Sequence, residues 1–330
     1  MSKTPRILAP DWLRGVAVLV MVECHVFNAL LAPAYRDAWW FAGLNWLNGL
    51  VAPAFLLVSG MVMGLNLERR WDQGTGKLWR RVGQIFLVAY LLHLPTPLLW
   101  QFFGERGPHL VSLWTKMDIL QCVAGSLALV LLLVPVARQP LIHRWACLVL
   151  GIAAAVGATP VDSWARQLAW PKFLLNYLWP TGVGLFPLVP WAGFIGIGVW
   201  LGPVIFRDEH PWRRSLLAGV MFVVAARFMN GSLAYDAPFV FSRLGWVLVA
   251  LAGCCWLGQP VRGTKWILEF GQLSLWSYTV HLVIVYGSCV SLGLDSLGQR
   301  FNPVMTTLAL AAVLYVTARV VRWRVRRDVR

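Results

Sequence analysis

The sequence predicts an all-α, polytopic integral membrane protein with about ten transmembrane helices and both termini in the cytoplasm. Three observations carry that expectation. The 330 residues are 58% apolar and only 13% charged, against about 25% charged in a soluble domain. Apolar runs of about 18 residues or more recur along the whole length, each long enough to cross a bilayer. The basic residues collect in alternate gaps between the runs, as the positive-inside rule requires of cytoplasmic connections.

The first run, 15–33, sits in DWLRGVAVLVMVECHVFNALL. It is too long for the apolar region of a signal peptide and contains Glu23 and His25, so it reads as an uncleaved span. The second, 46–67, ends at the basic LERRWDQGTGKLWRR, which leads into the third, 82–100. The fourth, 117–136, opens at MDILQ. The fifth, 141–158, follows RQPLIHR and leads to a loop, 159–182, punctuated by Pro160, Pro171 and Pro180. The sixth, 182–205, contains FPLVPWAGFIGIGVWLG. The seventh, 215–233, follows FRDEHPWRR and has RFMNG at its outer end, and the eighth, 244–258, follows Arg243. The ninth, 266–290, carries FGQLSLWSYTVHL. The tenth, 303–321, runs into the basic tail VRWRVRRDVR. Runs of this length exclude a β-barrel, whose strands are about ten residues of alternating pattern. No soluble domain of useful size is visible, and residues 1–330 read as a single transmembrane domain.

Net charge is +15. Because most of the basic residues fall in one set of gaps, the charge reports topology. It does not form a basic stripe of the kind that binds nucleic acid. The six cysteines are scattered, with no C-x-x-C and no Cys/His cluster at metal spacing, so no metal site is expected. Many of the 20 tryptophans fall near run ends, where an interfacial belt accounts for them. The sharper reading makes Trp39, Trp40, Trp164, Trp170 and Trp179 stacking platforms for sugar rings.

An ionisable residue inside a membrane helix is a functional candidate, because lipid penalises it otherwise. Arg14 and His25 are eleven positions apart, about three turns plus 20°, so they share one helix face about 16 Å apart along the axis. A cation at the mouth of a span and an imidazole on the same stripe suit a long anionic ligand with a buried reactive end. The plain alternatives are a snorkelling arginine paired with Asp11 and a histidine that bonds a neighbouring helix. Glu23 is about 200° around from His25 and must find another partner, such as Arg227 or Arg243. Asn28, three residues beyond His25, lies on nearly its face and can orient the ring. Ser274, Tyr278 and His281 share a face of the ninth run, with His281 a second catalytic candidate. Arg69, Arg70, Lys77, Arg80 and Arg81 form the densest basic loop; it has no Walker or G-x-G-x-x-G pattern.

Arg14, ten residues, then His25 resembles the R-x10-H motif of the transmembrane acyltransferase superfamily, which includes acyltransferase family 3. RILAPDWLRGVAVLVMVECH resembles the start of the heparan-alpha-glucosaminide N-acetyltransferase catalytic domain and its bacterial relatives. LNGLVAPAFLLVSGMVMGL, DILQCVAGSLAL, FPLVPWAGFIGIGVWLG and LEFGQLSLWSYTVHL resemble later helices of that family in order, through nearly the whole chain. The resemblance implies transfer of an acyl group, usually acetyl, from cytosolic acyl-CoA to a sugar hydroxyl or amine of an extracytoplasmic glycan or lipid-linked saccharide. A bacterial inner membrane is the expected location and no metal is implied. His25 is then the base, with His281 and Asn28 as further catalytic candidates. Arg14, Arg69, Arg70, Arg80 and Arg81 would hold the CoA, and Glu23, Arg227, Arg243 and Trp46 would meet the acceptor. The chain departs from the family where the heparan enzymes carry a histidine after the first span, in an H-A-x-W-N-G-like stretch. Residues 43–49 here read GLNWLNG. The competing class is a secondary transporter or lipid flippase with His25, Glu23 and Arg227 as a proton relay. Such proteins often show internal repeats, and none is visible.

Overall fold

A computed structural model describes residues 7–165, 177–178, 185–207, 209–229, 236–258 and 263–328. These residues are helical, with no β-strand among them and two isolated bridges. The helices are α1 (Ala9–Leu30), α2 (Trp39–Asn48), α3 (Val51–Arg70), α4 (Gly76–Leu92), α5 (Gly107–Trp114), α6 (Ile119–Leu132) and the single turn α7 (Val134–Ala137). There follow α8 (Pro140–Ala165), α9 (Leu188–Ile205), α10 (Pro211–Phe228), α11 (Asp236–Leu257), α12 (Lys265–Gln272), α13 (Ser274–Tyr286) and α14 (Pro303–Asp328).

Among the described residues each apolar run read from the sequence contains a helix, but not every run makes one long helix. Among the described residues seven stretches are long and apolar enough to cross a membrane. They are Ala9–Leu30, Trp39–Gln73, Ile119–Ala137, Pro140–Gly157, Leu188–Ile205, Ala237–Leu257 and Pro303–Arg327. The third run stops at Leu92 because the Pro95 and Pro97 that follow cannot continue a helix. The ninth is broken at Leu273 into α12 and α13, which leaves Ser274–Tyr286 as a shorter apolar helix. The loop at 159–182 and Asn230 fall largely or wholly outside the described residues, as do Trp170 and Trp179.

The chain forms two compact units, Met1–Val51 with Gly253–Arg330, and Ala52–Ala252. In the first, α1 packs against α2, α12, α13 and α14. Val18, Val22 and Val26 are fully buried, a stripe at four-residue spacing. Gly15 and Gly271 let α1 and α12 touch backbone to backbone. A side chain at Gly15 would strike the Ile267 carbonyl, and one at Gly271 would strike that of Asp11. The far end of α1 has carbonyls with no intrahelical partner. The Arg36 guanidinium donates to the carbonyls of Asn28 (2.9 Å) and Leu31, Gln299 donates to Asn28 O, and the Phe301 amide donates to Leu30 O. A cation there also suits the negative end of the helix dipole. Phe27, Leu31 and Phe41 form a small core with Trp40, Leu44 and Leu310 around them. Asn302 then caps α14 through Met305 N (2.9 Å), with Pro303 in the first turn.

In the second unit α9 is glycine-faced on two sides. Gly198 and Gly202 meet the backbone of Leu57 and Met61 in α3, while Gly60 and Gly64 of α3 meet Ile195 and Val199. On its other side Gly193 and Gly196 meet Gly151 of α8. Small residues at this spacing let membrane helices approach closely, where dispersion and not hydrophobicity must hold them. The small residues of GIGVWLG are thus used inside the chain. Ser215 of α10 donates to the Leu248 carbonyl of α11 (2.7 Å), beside facing Gly219 and Gly245.

Candidate active site

The helix α1 is continuous from Ala9 to Leu30, so Arg14 and His25 do lie on one unbroken spiral. Arg14 is half-buried in the turn that presses on α12. His25 is half-buried and faces α13. Its Nδ1 is hydrogen-bonded to the Tyr286 hydroxyl at 3.0 Å, with the two rings edge to face. The His281 ring lies 5.3 Å from the His25 ring, centroid to centroid, at a tilt of 33°. Two imidazoles and a phenol from sequence-distant helices therefore form one cluster.

The two histidines differ. His281 is 0% exposed. Its Nδ1 lies 2.7 Å from the Ser277 carbonyl, an acceptor only, so the proton is on Nδ1 and Nε2 keeps a lone pair. That Nε2 is buried with no hydrogen-bond partner among the described residues. Tyr278 packs its ring edge to face against His281 at 5.7 Å, and the Ser277 hydroxyl turns back to the Leu273 carbonyl. His281 is thus locked in place behind His25, while His25 and Tyr286 (43% exposed) remain reachable.

The other sequence candidates distribute as follows. Asn28 is exposed and donates to Cys24 Sγ at 3.4 Å on its own helix. The Glu23 carboxylate is buried, with the Asn48 side chain beside it. Arg227 is exposed in the last turn of α10 and Arg243 lies over the Phe239 ring, both in the second unit. Trp46 is exposed on α2, as is Trp39 at 87%. In the second unit a cavity of about 490 Å³ is lined by Asn66, Arg70, Gln73, Gly74, Gly76, Lys77 and Arg80. Arg70 and Arg80 are brought together there; Arg69 and Arg81 are not part of its lining. Nearby Glu68 is shared by Arg144 (3.3 Å) and Arg207 (3.0 Å). All six cysteines are free, and no group of three metal-ligating side chains forms among the described residues.

Residues 6–235 match the family described as heparan-alpha-glucosaminide N-acetyltransferase, catalytic. The chain belongs to that family. No curated protein matches it. The match covers α1 and His25 and the whole basic cavity, but stops before α12 and α13. His281 and Tyr286 therefore lie beyond the matched residues. Membership of this acetyltransferase family, with seven span-length apolar stretches among the described residues, makes the protein a multi-pass membrane acetyltransferase.

Sequence reading did not find Tyr286, Ser277 or Asn48. Tyr286 lies five positions from His281 and so off the face that Ser274, Tyr278 and His281 share. Ser277 acts through its carbonyl, which no side-chain pattern records.

Proposed function

We propose that the protein transfers an acetyl or other short acyl group from cytosolic acyl-CoA to a sugar hydroxyl or amine of an extracytoplasmic glycan or lipid-linked saccharide, as a single transmembrane domain of the cytoplasmic membrane. The observation that carries the reading is the His25–Tyr286–His281 cluster, of which His25 stands on a helix inside the family match.

A thioester is already activated, so the enzyme must position the acceptor and take its proton. In this reading His25 donates from Nδ1 to the Tyr286 oxygen, which leaves Nε2 as the base. The acceptor oxygen or nitrogen attacks the thioester carbonyl as Nε2 takes its proton. The C–S bond then breaks, and the imidazolium returns the proton to the departing CoA sulfur. The difference in exposure supports His25 as the base: it can be reached, whereas His281 is 0% exposed and in this reading serves as a positioning residue whose ring faces the imidazolium. Asn28, at the exposed end of the helix, and Glu23 with Trp46 are assigned to the acceptor. Arg227 and Arg243 are assigned to its anionic groups.

The donor's phosphates call for guanidinium and ammonium groups. Arg70, Lys77 and Arg80 surround a cavity of suitable size, with two side-chain amides and two glycines in its wall. Arg69 and Arg81 add to the surrounding positive field. Arg14 is assigned to the donor as well. The cavity's chemistry fits a nucleotide; it would bind and orient, and no cofactor beyond the co-substrate is invoked.

The test uses purified protein in lipid nanodiscs with labelled acetyl-CoA. The expected result is slow release of CoA that accelerates with a sugar acceptor and is lost in His25→Ala. Full release by His25→Ala would remove the proposed base. Arg14→Ala and Arg80→Ala are expected to weaken CoA binding about tenfold each, as the loss of a charge-assisted hydrogen bond implies; unchanged affinity would return them to a topological role.

A further inference from the structure

Five arginines, Arg319, Arg322, Arg324, Arg326 and Arg327, fall within nine residues at the end of α14. The positive-inside rule explains why this end is basic. It does not explain how the cations are arranged around the helix. Thr306, Val313, Thr317 and Val321 are buried and mark the face that α14 turns to its own unit. At about 100° per residue Arg324 falls on that face, where its guanidinium lies over the Trp276 ring of α13. Arg322 is turned to Glu269 of α12, at 3.6 Å. These two cations are used inside the unit.

The opposite face carries Leu308, Ala312, Tyr315, Arg319, Trp323 and Arg326, all exposed and all within an arc of about 80°. Arg319 and Arg326 have no hydrogen bond or ion pair among the described residues. Trp323 stands between them, with the Arg327 guanidinium over its ring at 4.2 Å. Of the seven span-length stretches α14 is the least covered, 22% buried, so this face is open to lipid along its length. Pro303–Arg327 contains no acidic residue to neutralise it.

We propose that the outward face of α14 is a binding site for one anionic phospholipid, in the leaflet that the basic end of the helix reaches. Arg319 and Arg326 take the phosphate-bearing headgroup, and the strip from Leu308 to Tyr315 takes an acyl chain. The dimensions agree. Leu308 and Arg319 are about 16 Å apart along the axis, close to half of a hydrocarbon core of about 30 Å. The guanidinium fork matches phosphate oxygens, and an indole favours the headgroup level. Clustered cations beside a membrane span attract anionic lipid in proportion to their number. Charge selects this occupant over a second copy of the chain, because two such faces together would set guanidinium against guanidinium.

The experiment titrates the full-length protein in detergent with phosphatidylglycerol or phosphatidylcholine and counts bound lipid by native mass spectrometry. Wild type is expected to hold one phosphatidylglycerol about thirtyfold more tightly than phosphatidylcholine, the effect of two cations beside an anionic headgroup. Arg319→Gln is expected to weaken phosphatidylglycerol about fivefold and the double variant Arg319→Gln/Arg326→Gln to abolish the preference. Arg324→Gln removes the same charge from the buried face and is expected to leave the preference intact. Inorganic phosphate and CoA, each in large excess, are expected to leave the bound lipid in place. Equal binding of the two lipids by wild type would overturn the proposal without any variant. Equal weakening by Arg319→Gln and Arg324→Gln would reduce the effect to net charge and overturn the site. Displacement of the lipid by phosphate or CoA would make the patch a site for soluble phosphates instead.

Discussion

The Ser277 carbonyl, 2.7 Å from His281 Nδ1, removes one choice from the chemistry. It pins the proton of the buried ring and leaves the reachable ring, His25, with its orientation held by Tyr286 at 3.0 Å. Removing the hydroxyl while keeping the ring should therefore act on orientation and tautomer more than on binding. Tyr286→Phe is expected to lower kcat about tenfold or more, within the range that general-base catalysis contributes, with KM for the donor little changed. A parallel rise in KM would instead make Tyr286 a binding residue. At this scale the sequence was partly legible. The paradox of an imidazole in an apolar helix marked His25, and the three-residue offset from Tyr278 marked His281. Tyr286 was invisible because a phenol at a helix end looks like any interfacial aromatic, and Asn48 because its neighbour Glu23 lies on a different helix.

At the scale of the element, two different devices hold the helices. The unit that carries His25 relies on one backbone contact, where Gly15 and Gly271 bring α1 onto α12. The other unit relies on glycines repeated along α3 and α9. Backbone cannot yield as a flexible side chain can, so Gly271→Val is expected to destabilise the protein by about 1–3 kcal/mol, the usual cost of overpacking. A lowered melting temperature in detergent, with activity lost in proportion to folded protein, would be the sign of it. Unchanged melting would show that α12 can move away freely. The helices themselves were legible because apolar runs of span length admit little else in lipid. Their breaks were less so. Leu273, between α12 and α13, is an ordinary helix former, and only the packing of the two pieces shows the interruption. The third run was overextended because Leu98, Leu99 and Trp100 continue its apolar character beyond the turn at Pro95.

At the scale of the whole molecule, charge distribution and chemistry make one statement. The basic cavity around Arg70, Lys77 and Arg80 belongs to the same set of basic connections that the positive-inside rule assigns to the cytoplasm, which is where acyl-CoA is found. Single cysteines placed in the 69–81 loop and in the tail after Arg322, in a cysteine-free background, are expected to react with an impermeant thiol reagent only from the cytoplasmic side. Labelling of either from the opposite side would overturn the orientation. The family could be read from the order of motifs along the chain, and the match over residues 6–235 bears out that resemblance. It extends less far than the motif order suggested, since it ends before the helix of His281. The acceptor leaves no comparable mark: the exposed groups assigned to it, Asn28, Trp46 and Arg227, are of types common at any membrane surface.

The most direct measurement is a single turnover of labelled acetyl-CoA with a sugar acceptor, using wild type and His25→Ala side by side in nanodiscs, with CoA affinity determined for both. The account expects acetylated acceptor from wild type, and from the variant undiminished CoA binding with transfer reduced at least a hundredfold. Transfer at the wild-type rate by the variant would contradict it.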